Sequence, residues 1–197
     1  MASRRGVVAF DVLGTCFGLD ALADALRAEF GDALRDPAQT ALLWYYSAQR
    51  DFAYMHVMGD YVSYNKLEKA GFEVWAVTNG GSENTLKLFT AASEANAQAL
   101  SLPIKQRILS CDDIKIAKPD PRVYENLNKR AEVKPDEKLY FVAAHSWDLH
   151  GAAKAGWKTA WTSYEEHVPL TDLFAAPHLS ADTLSDIADA IIRDAGQ

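Results

Sequence analysis

The pattern of apolar and polar positions changes twice along the chain. Val7 to Val12 is an apolar run of β-branched and aromatic residues interrupted by Asp11, which predicts a buried strand that ends on a carboxylate, with Gly14 marking the turn beyond it. Leu19 to Phe30 switches to helical spacing, with Leu19, Leu22, Ala23, Leu26 and Phe30 recurring among Asp, Arg and Glu. Asp36-Pro37 breaks that period, and Pro37 suits the first turn of a following helix. Residues 38–64 predict a second helical stretch crowded with Trp44, Tyr45, Tyr46, Phe52, Tyr54, Tyr61 and Tyr64. These cover too much of a helical circumference for a single core stripe, so one face is free to line a pocket or a dimer contact, with plain packing as the alternative.

From Asn65 onward the pattern alternates. Gly71 reads as a helix stop and Glu73–Thr78 as the second strand, running into Asn79-Gly80-Gly81. Residues 84–100 predict a helix ended by Pro103, and Ile108–Ser110 a short third strand. Lys115–Arg122 is a loop stiffened by Pro119 and Pro121, followed by a helix from Val123 to Ala131. Leu139–Ala144 is the fourth strand, continuing into His145-Ser146-Trp147-Asp148; a short helix from His150 to Gly156 and a fifth strand at Lys158–Thr162 come next. Leu184–Ile192 closes the pattern as an amphipathic helix. Strands alternating with helices call for an α/β fold with a parallel sheet covered on both faces.

With 197 residues, 49% of them hydrophobic, the chain builds a proper core without staples. The net charge of −7 and the lack of any dense Lys/Arg cluster argue against a nucleic-acid footprint or an anionic membrane surface, leaving small molecules as the expected partners. Cys16 and Cys111 lie far apart with no ligand-like spacing, so neither a disulfide scaffold nor a zinc site is expected. The apolar run after Met1–Gly6 meets Asp11 too soon for a signal peptide or a membrane span, and a soluble, cytoplasmic protein is expected.

Chemistry gathers at the strand ends. In a parallel sheet all strands point one way, so Asp11 with Thr15, Thr78 with Asn79, Lys118, and His145 with Asp148 can converge on one cleft. Asp11 would be a nucleophile, and Thr15, Thr78 and Asn79 would hold it or the substrate. Lys118 would keep the carboxylates ionised, and Asp148 would pair with Lys118 or position a water. Each residue also has a plainer reading: Asp11 as a turn cap, Lys118 as a solvated lysine, His145 as a satisfied strand-end histidine. Asp112-Asp113 reads as a solvated turn pair, and His56, His150, His167 and His178 have no ligand-like neighbours.

Taken in order, four segments resemble the haloacid dehalogenase superfamily and, within it, the L-2-haloacid dehalogenases. Phe10–Thr15 is similar to the nucleophile motif, Val77–Gly80 to the second, Lys118–Glu125 to the lysine motif, and Phe141–Asp148 to the fourth. The resemblance implies a Rossmann-like core with a five-stranded parallel sheet, built from residues 1–18 and 65–197, and a helical cap of residues 19–64 inserted after the first strand. It implies a covalent route in which Asp11 displaces halide from the carbon next to a substrate carboxylate, and water then hydrolyses the ester with help from Asp148, Lys118 and His145. Thr15, Thr78 and Asn79 would bind carboxylate oxygens, and Leu13, Tyr45 and Trp147 would line the substrate. It implies no cofactor and no metal, since Leu13 stands where the phosphatases of the superfamily carry a second Asp, and Ala144-His145 where a neighbouring carboxylate is expected. It also suggests a homodimer through the cap. Three positions depart from the pattern: Tyr45 where the branch has a halide-receiving arginine, His145 where it has asparagine, and a cap that is short. The alternatives are a repurposed core using His145 and Tyr45 as acid or base in a lyase, isomerase or cyclase reaction, or a non-catalytic metabolite binder.

Overall fold

The computed structural model describes residues 5–12, 15–16, 20–33, 35–41, 62–95, 104–163 and 165–196. Their framework is a parallel sheet of six strands in the order β3-β2-β1-β4-β5-β6. The strands are β1 (Gly6–Asp11), β2 (Phe72–Thr78), β3 (Ile108–Ser110), β4 (Lys138–Ala143), β5 (Lys158–Thr162) and β6 (Leu179–Ala181). The pattern predicted five strands; the sixth is a three-residue Leu-Ser-Ala edge strand whose Leu179 pairs with Ala160. It is too short and too polar to register as an apolar run.

β1 is buried along its whole length because it sits between β2 and β4, with helices over both faces. Val8 and Phe10 face one core with Val74, Val142, Ile187 and Ile191, whereas Val7 and Ala9 face the other with Val77, Val123, Leu127 and Phe141. A strand covered on both sides has no polar face to alternate with, which is why its sequence is a continuous apolar run. The first core is roofed by α2 (Val62–Lys69), α3 (Ser82–Ala95) and α7 (Leu184–Gly196). The second is roofed by α5 (Pro121–Arg130) and α6 (Ser146–Lys154), with the single-turn α4 (Cys111–Ile114) at its edge.

Three local readings are corrected. α4 was not anticipated: Ser110 caps it by accepting from Asp112 N at 3.2 Å, and Lys115 ends it at φ 57°. Asp112 and Asp113 are therefore first-turn residues of a short helix, exposed as expected, with Asp112 paired to Lys115 at 3.2 Å. α6 begins at Ser146 rather than His150, so Ser146-Trp147-Asp148 is the first turn of a helix and not an extension of β4. α3 likewise starts two residues early, at Ser82.

Of the predicted cap, α1 (Asp20–Phe30), the 3-10 turn Gly31–Ala33 and residues 35–41 are described. Ala23 and Leu26 of α1 pack with Ala41. The aromatic stretch from Trp44 to Tyr61, including Tyr45, lies outside the described residues, as does Leu13. No described helix is long and apolar enough to cross a membrane.

Candidate active site

The C-terminal edge of the sheet carries the chemistry. Asp11 ends β1 and is only 6% exposed, so both of its carboxylate oxygens need protein partners. Thr15, one turn further on, donates its hydroxyl to Asp11 Oδ2 at 2.7 Å and accepts from Ala144 N at the end of β4 at 2.7 Å. One hydroxyl thus ties the ends of two adjacent strands together. Asp11 Oδ1 accepts from Lys118 Nζ.

Lys118 comes from the loop between α4 and α5, where the Lys118–Pro119 peptide is cis. Its side chain runs under the sheet edge and donates to Asp11, to Asp148 Oδ2 at 2.7 Å and to the Val77 carbonyl at 3.2 Å, so all three ammonium protons are placed. Burial alone would push this ammonium down. The flanking charges of Asp11 and Asp148 outweigh it and hold the Lys118 pKa above the ordinary lysine value.

Asp148, in the first turn of α6, is fully buried. Burial raises its carboxyl above the usual range, the Lys118 charge opposes that, and the Asp11 charge adds to it. Its second oxygen is taken by Tyr124 of α5, whose hydroxyl donates to Asp148 Oδ1 and lies 3.0 Å from the Asp148 carbonyl. Burial first and the Asp148 charge next push the Tyr124 phenol far above its ordinary value, so it remains a hydroxyl donor. Gly151 makes this approach feasible: a Cβ there would stand 2.5 Å from the Pro119 carbonyl oxygen and 2.8 Å from the Tyr124 hydroxyl.

The predicted residues divide into two groups. Asp11, Thr15, Lys118 and Asp148 form one continuous hydrogen-bonded chain. Thr78 and Asn79 stand beside it, differently engaged: Thr78 Oγ1 accepts from Gly80 N at 3.0 Å, and Asn79 Oδ1 accepts from Lys118 N at 2.8 Å. Through this bond Asn79 ties the lysine loop to the end of β2. His145 precedes α6 and its half-buried ring lies tilted against Trp147, with centroids 5.6 Å apart. Tyr124 was missed by sequence reasoning although it stands in the lysine segment, because a tyrosine beside Val123 and Leu127 on a helix reads as core. Glu165 was also missed. Its half-buried carboxyl is raised by burial, lowered by His145, and raised again by Asp20 and Asp11, which places a further acid within the field of the site.

The described residues do not fit a Mg²⁺ ion between Asp11 and Asp148. The Lys118 ammonium already lies there, and all four carboxylate oxygens accept from Lys118, Thr15 or Tyr124. Such an ion needs near-octahedral oxygen ligation that this arrangement does not offer.

No family model matches the chain. Among curated proteins it is 33% identical over 122 residues to (S)-2-haloacid dehalogenase 4A of Burkholderia cepacia, covering 62% of this chain and 49% of that protein. It is 31% identical over 127 residues to (S)-2-haloacid dehalogenase 1 of Pseudomonas sp. (strain CBS-3), covering 64% of this chain and 52% of that one. The matched segment thus spans about half the length of these relatives. Both relatives are (S)-2-haloacid dehalogenases, so in sequence the chain is similar to the L-2-haloacid, or type II, branch of the haloacid dehalogenase superfamily. Solved structures agree on the superfamily's fold. A defluorinating L-2-haloacid dehalogenase superposes with a TM-score of 0.69 at 20% identity, covering 95% of each chain. The Xanthobacter autotrophicus L-2-haloacid dehalogenase with chloropropionic acid covalently bound gives 0.62 at 18% identity, covering 96% of this chain and 98% of that one. The same fold serves a phosphatase of the superfamily from Thermococcus onnurineus, with a TM-score of 0.63 at 17% identity and coverage of 94% and 97%. The fold therefore leaves the choice of reaction to the site.

Proposed function

We propose that this protein is a hydrolase that uses Asp11 as a nucleophile on a small 2-halo acid or a similarly activated carbon. The observation that carries the reading is the buried Asp11–Lys118–Asp148 chain, in which a strand-end carboxylate is oriented by Thr15 and by an ammonium anchored from behind. An oxygen of Asp11 forms a bond to the carbon bearing the halogen as the carbon–halogen bond breaks, and halide leaves with the bonding pair. Water then adds to the Asp11 carboxyl carbon of the resulting ester, and the bond from that carbon to the substrate oxygen breaks. The products are a 2-hydroxy acid, the regenerated Asp11 carboxylate and one proton passed to solvent. Splitting one displacement into two is the general advantage of a covalent nucleophile. Thr78, Leu13, Tyr45 and Trp147 are the side chains we assign to substrate, with His145 near the water. The names of the relatives and the covalent chloropropionate adduct of a protein sharing the fold support this choice over phosphoryl transfer. So does the occupation of all four Asp11 and Asp148 carboxylate oxygens by Lys118, Thr15 and Tyr124. We further propose a cytoplasmic location, in keeping with Cys16 and Cys111 being buried and not joined in a disulfide, and a homodimer through the residue 19–64 cap.

The test is halide release from chloro- and bromo-2-alkanoic acids by the wild type and Asp11→Asn, run beside a single turnover in ¹⁸O-water. The expected result is release that is lost in the variant, with ¹⁸O entering Asp11 before it enters product. Folded wild-type protein that releases no halide from any acid, or label that enters product in the first turnover, overturns the proposal.

A further inference from the structure

α6 starts without a capping side chain of its own. His145 occupies the residue before the helix in an extended conformation, φ −112° and ψ 126°, and its ring makes no capping hydrogen bond. Histidine is a poor residue for that position, and the first amides of a helix have no partner within it. The missing acceptor comes from the loop after β5. Glu166 receives Ser146 N on both carboxylate oxygens, at 3.0 and 2.9 Å, and the Ser146 hydroxyl on Oε2 at 2.6 Å. The same hydroxyl accepts from Leu170 N at 2.9 Å, so Ser146 is pinned from two points of that loop. Ser146 itself is buried, and a carboxylate at this end of a helix is also favoured by the helix dipole.

The pinned residue stands between the two site residues on this element. His145 precedes it, and Asp148 follows within the same turn and anchors Lys118. A helix start that slides or frays carries both with it. We infer that Glu166 is a positioning residue of the candidate site: by clamping the first turn of α6 it fixes the reach of Asp148 to Lys118, and hence of Lys118 to Asp11, and the placement of the His145 ring. The kinetic consequence rests on the aspartyl-nucleophile reading, but the clamp does not.

The experiment therefore has two arms on Glu166→Ala and Glu166→Gln. In NMR spectra of the unliganded protein, Glu166→Ala moves the amide signals of Ser146 and Asp148 and the ring signals of His145, while signals from the opposite end of the sheet, around Lys138, hold. In kinetics with the best halo-acid substrate, it lowers kcat about 10- to 100-fold, the scale for a displaced catalytic constellation, with KM nearly unchanged. Glu166→Gln, which keeps one acceptor oxygen for Ser146, recovers most of both effects. Asp189→Asn, which breaks the distant Lys66–Asp189 pair at 2.8 Å, serves as a stability control and leaves kcat unchanged. Unmoved signals at Ser146, Asp148 and His145 in Glu166→Ala overturn the inference, as does a glutamine variant as impaired as the alanine one. If the wild type shows no dehalogenation, the functional proposal falls and the spectra alone decide the clamp.

Discussion

Replacing Lys118 by Met removes one ammonium from between two carboxylates and leaves the chain's length nearly intact. The side chains concerned are 1% exposed for Lys118, 8% for Asp11 and none for Asp148, so water does not take over the lost contacts. At the 2.7 Å Lys118–Asp148 contact, an effective dielectric of about 20 gives a Coulomb attraction of roughly 6 kcal/mol before desolvation. Part of that is cancelled by the cost of burying the ammonium. Truncating one member of a buried ion pair costs about 3–5 kcal/mol because the remaining charge is stranded. At about 2–4 °C per kcal/mol for a domain of this size, the midpoint of thermal unfolding should fall by about 6–20 °C at pH 7.5.

The same change makes stability depend on pH in a defined sense. Burial already raises the Asp148 carboxyl, and without the opposing Lys118 charge it rises further. A carboxyl whose folded pKa exceeds its unfolded value of about 3.9 binds its proton more tightly in the native state. Its stabilising contribution is complete below the unfolded value and is lost as pH climbs through the folded one. In that window the stability of Lys118→Met rises as pH falls, so its deficit relative to wild type should shrink between pH 7.5 and pH 5.5. Urea unfolding of both proteins at the two pH values measures this. A deficit independent of pH, or a variant as stable as wild type at pH 7.5, would refute the reasoning. The wild-type lysine behaves in the same sense in a much higher window: its folded pKa is raised, so its stabilising contribution is present through neutral pH and lost only in strong alkali.

Tyr124→Phe keeps the ring packing against Phe141 but leaves Asp148 Oδ1 without its donor, and should cost about 1–3 kcal/mol in urea unfolding. An unchanged midpoint would remove Tyr124 from the network. Gly151→Ala forces a methyl group against the Pro119 carbonyl and the Tyr124 hydroxyl, and should destabilise by about 1–3 kcal/mol. Adding Tyr124→Phe should relieve part of that clash, so the two changes are less than additive, and strict additivity in a double-mutant cycle would contradict the packing.

What the sequence reveals and conceals follows from the range of the interactions. β1 is legible because burial on both faces produces an unbroken apolar run, and Asp11 because a lone carboxylate at its end breaks the run. Thr15 is legible by adjacency, lying within one turn of the group it donates to. Lys118 and Asp148 are 30 residues apart, and only the order of four segments suggests that they meet. Two things escaped for the same physical reason. The start of α6 depends on an acceptor 20 residues downstream, whereas the local pattern, with His145 in the capping position, argues for a later start. Tyr124 shares its helix face with Val123 and Leu127, and nothing in a helical period distinguishes a buried hydroxyl with a partner from a buried ring. The bond from the Lys118 amide to Asn79 Oδ1 spans 39 residues and has no local signal in the sequence.

The geometry also bears on the part Asp148 would take in the proposed reaction. Both of its oxygens are occupied, one by the Lys118 ammonium and one by a tyrosine that stays protonated, and none of its side chain reaches solvent. A carboxylate so held is suited to anchoring a cation and poorly suited to exchanging protons with a mobile water. Of the two tasks open to Asp148, pairing with Lys118 is therefore the one the structure favours. In the proposed hydrolysis, proton traffic would be better served by half-buried groups beside the site. His145 and Glu165 are two such groups, interacting electrostatically and flanking the contact by which Glu166 holds the start of α6. On that proposal the interior of the site would supply fixed charge, the flanking groups would exchange protons, and the Glu166 contact would tie the two together.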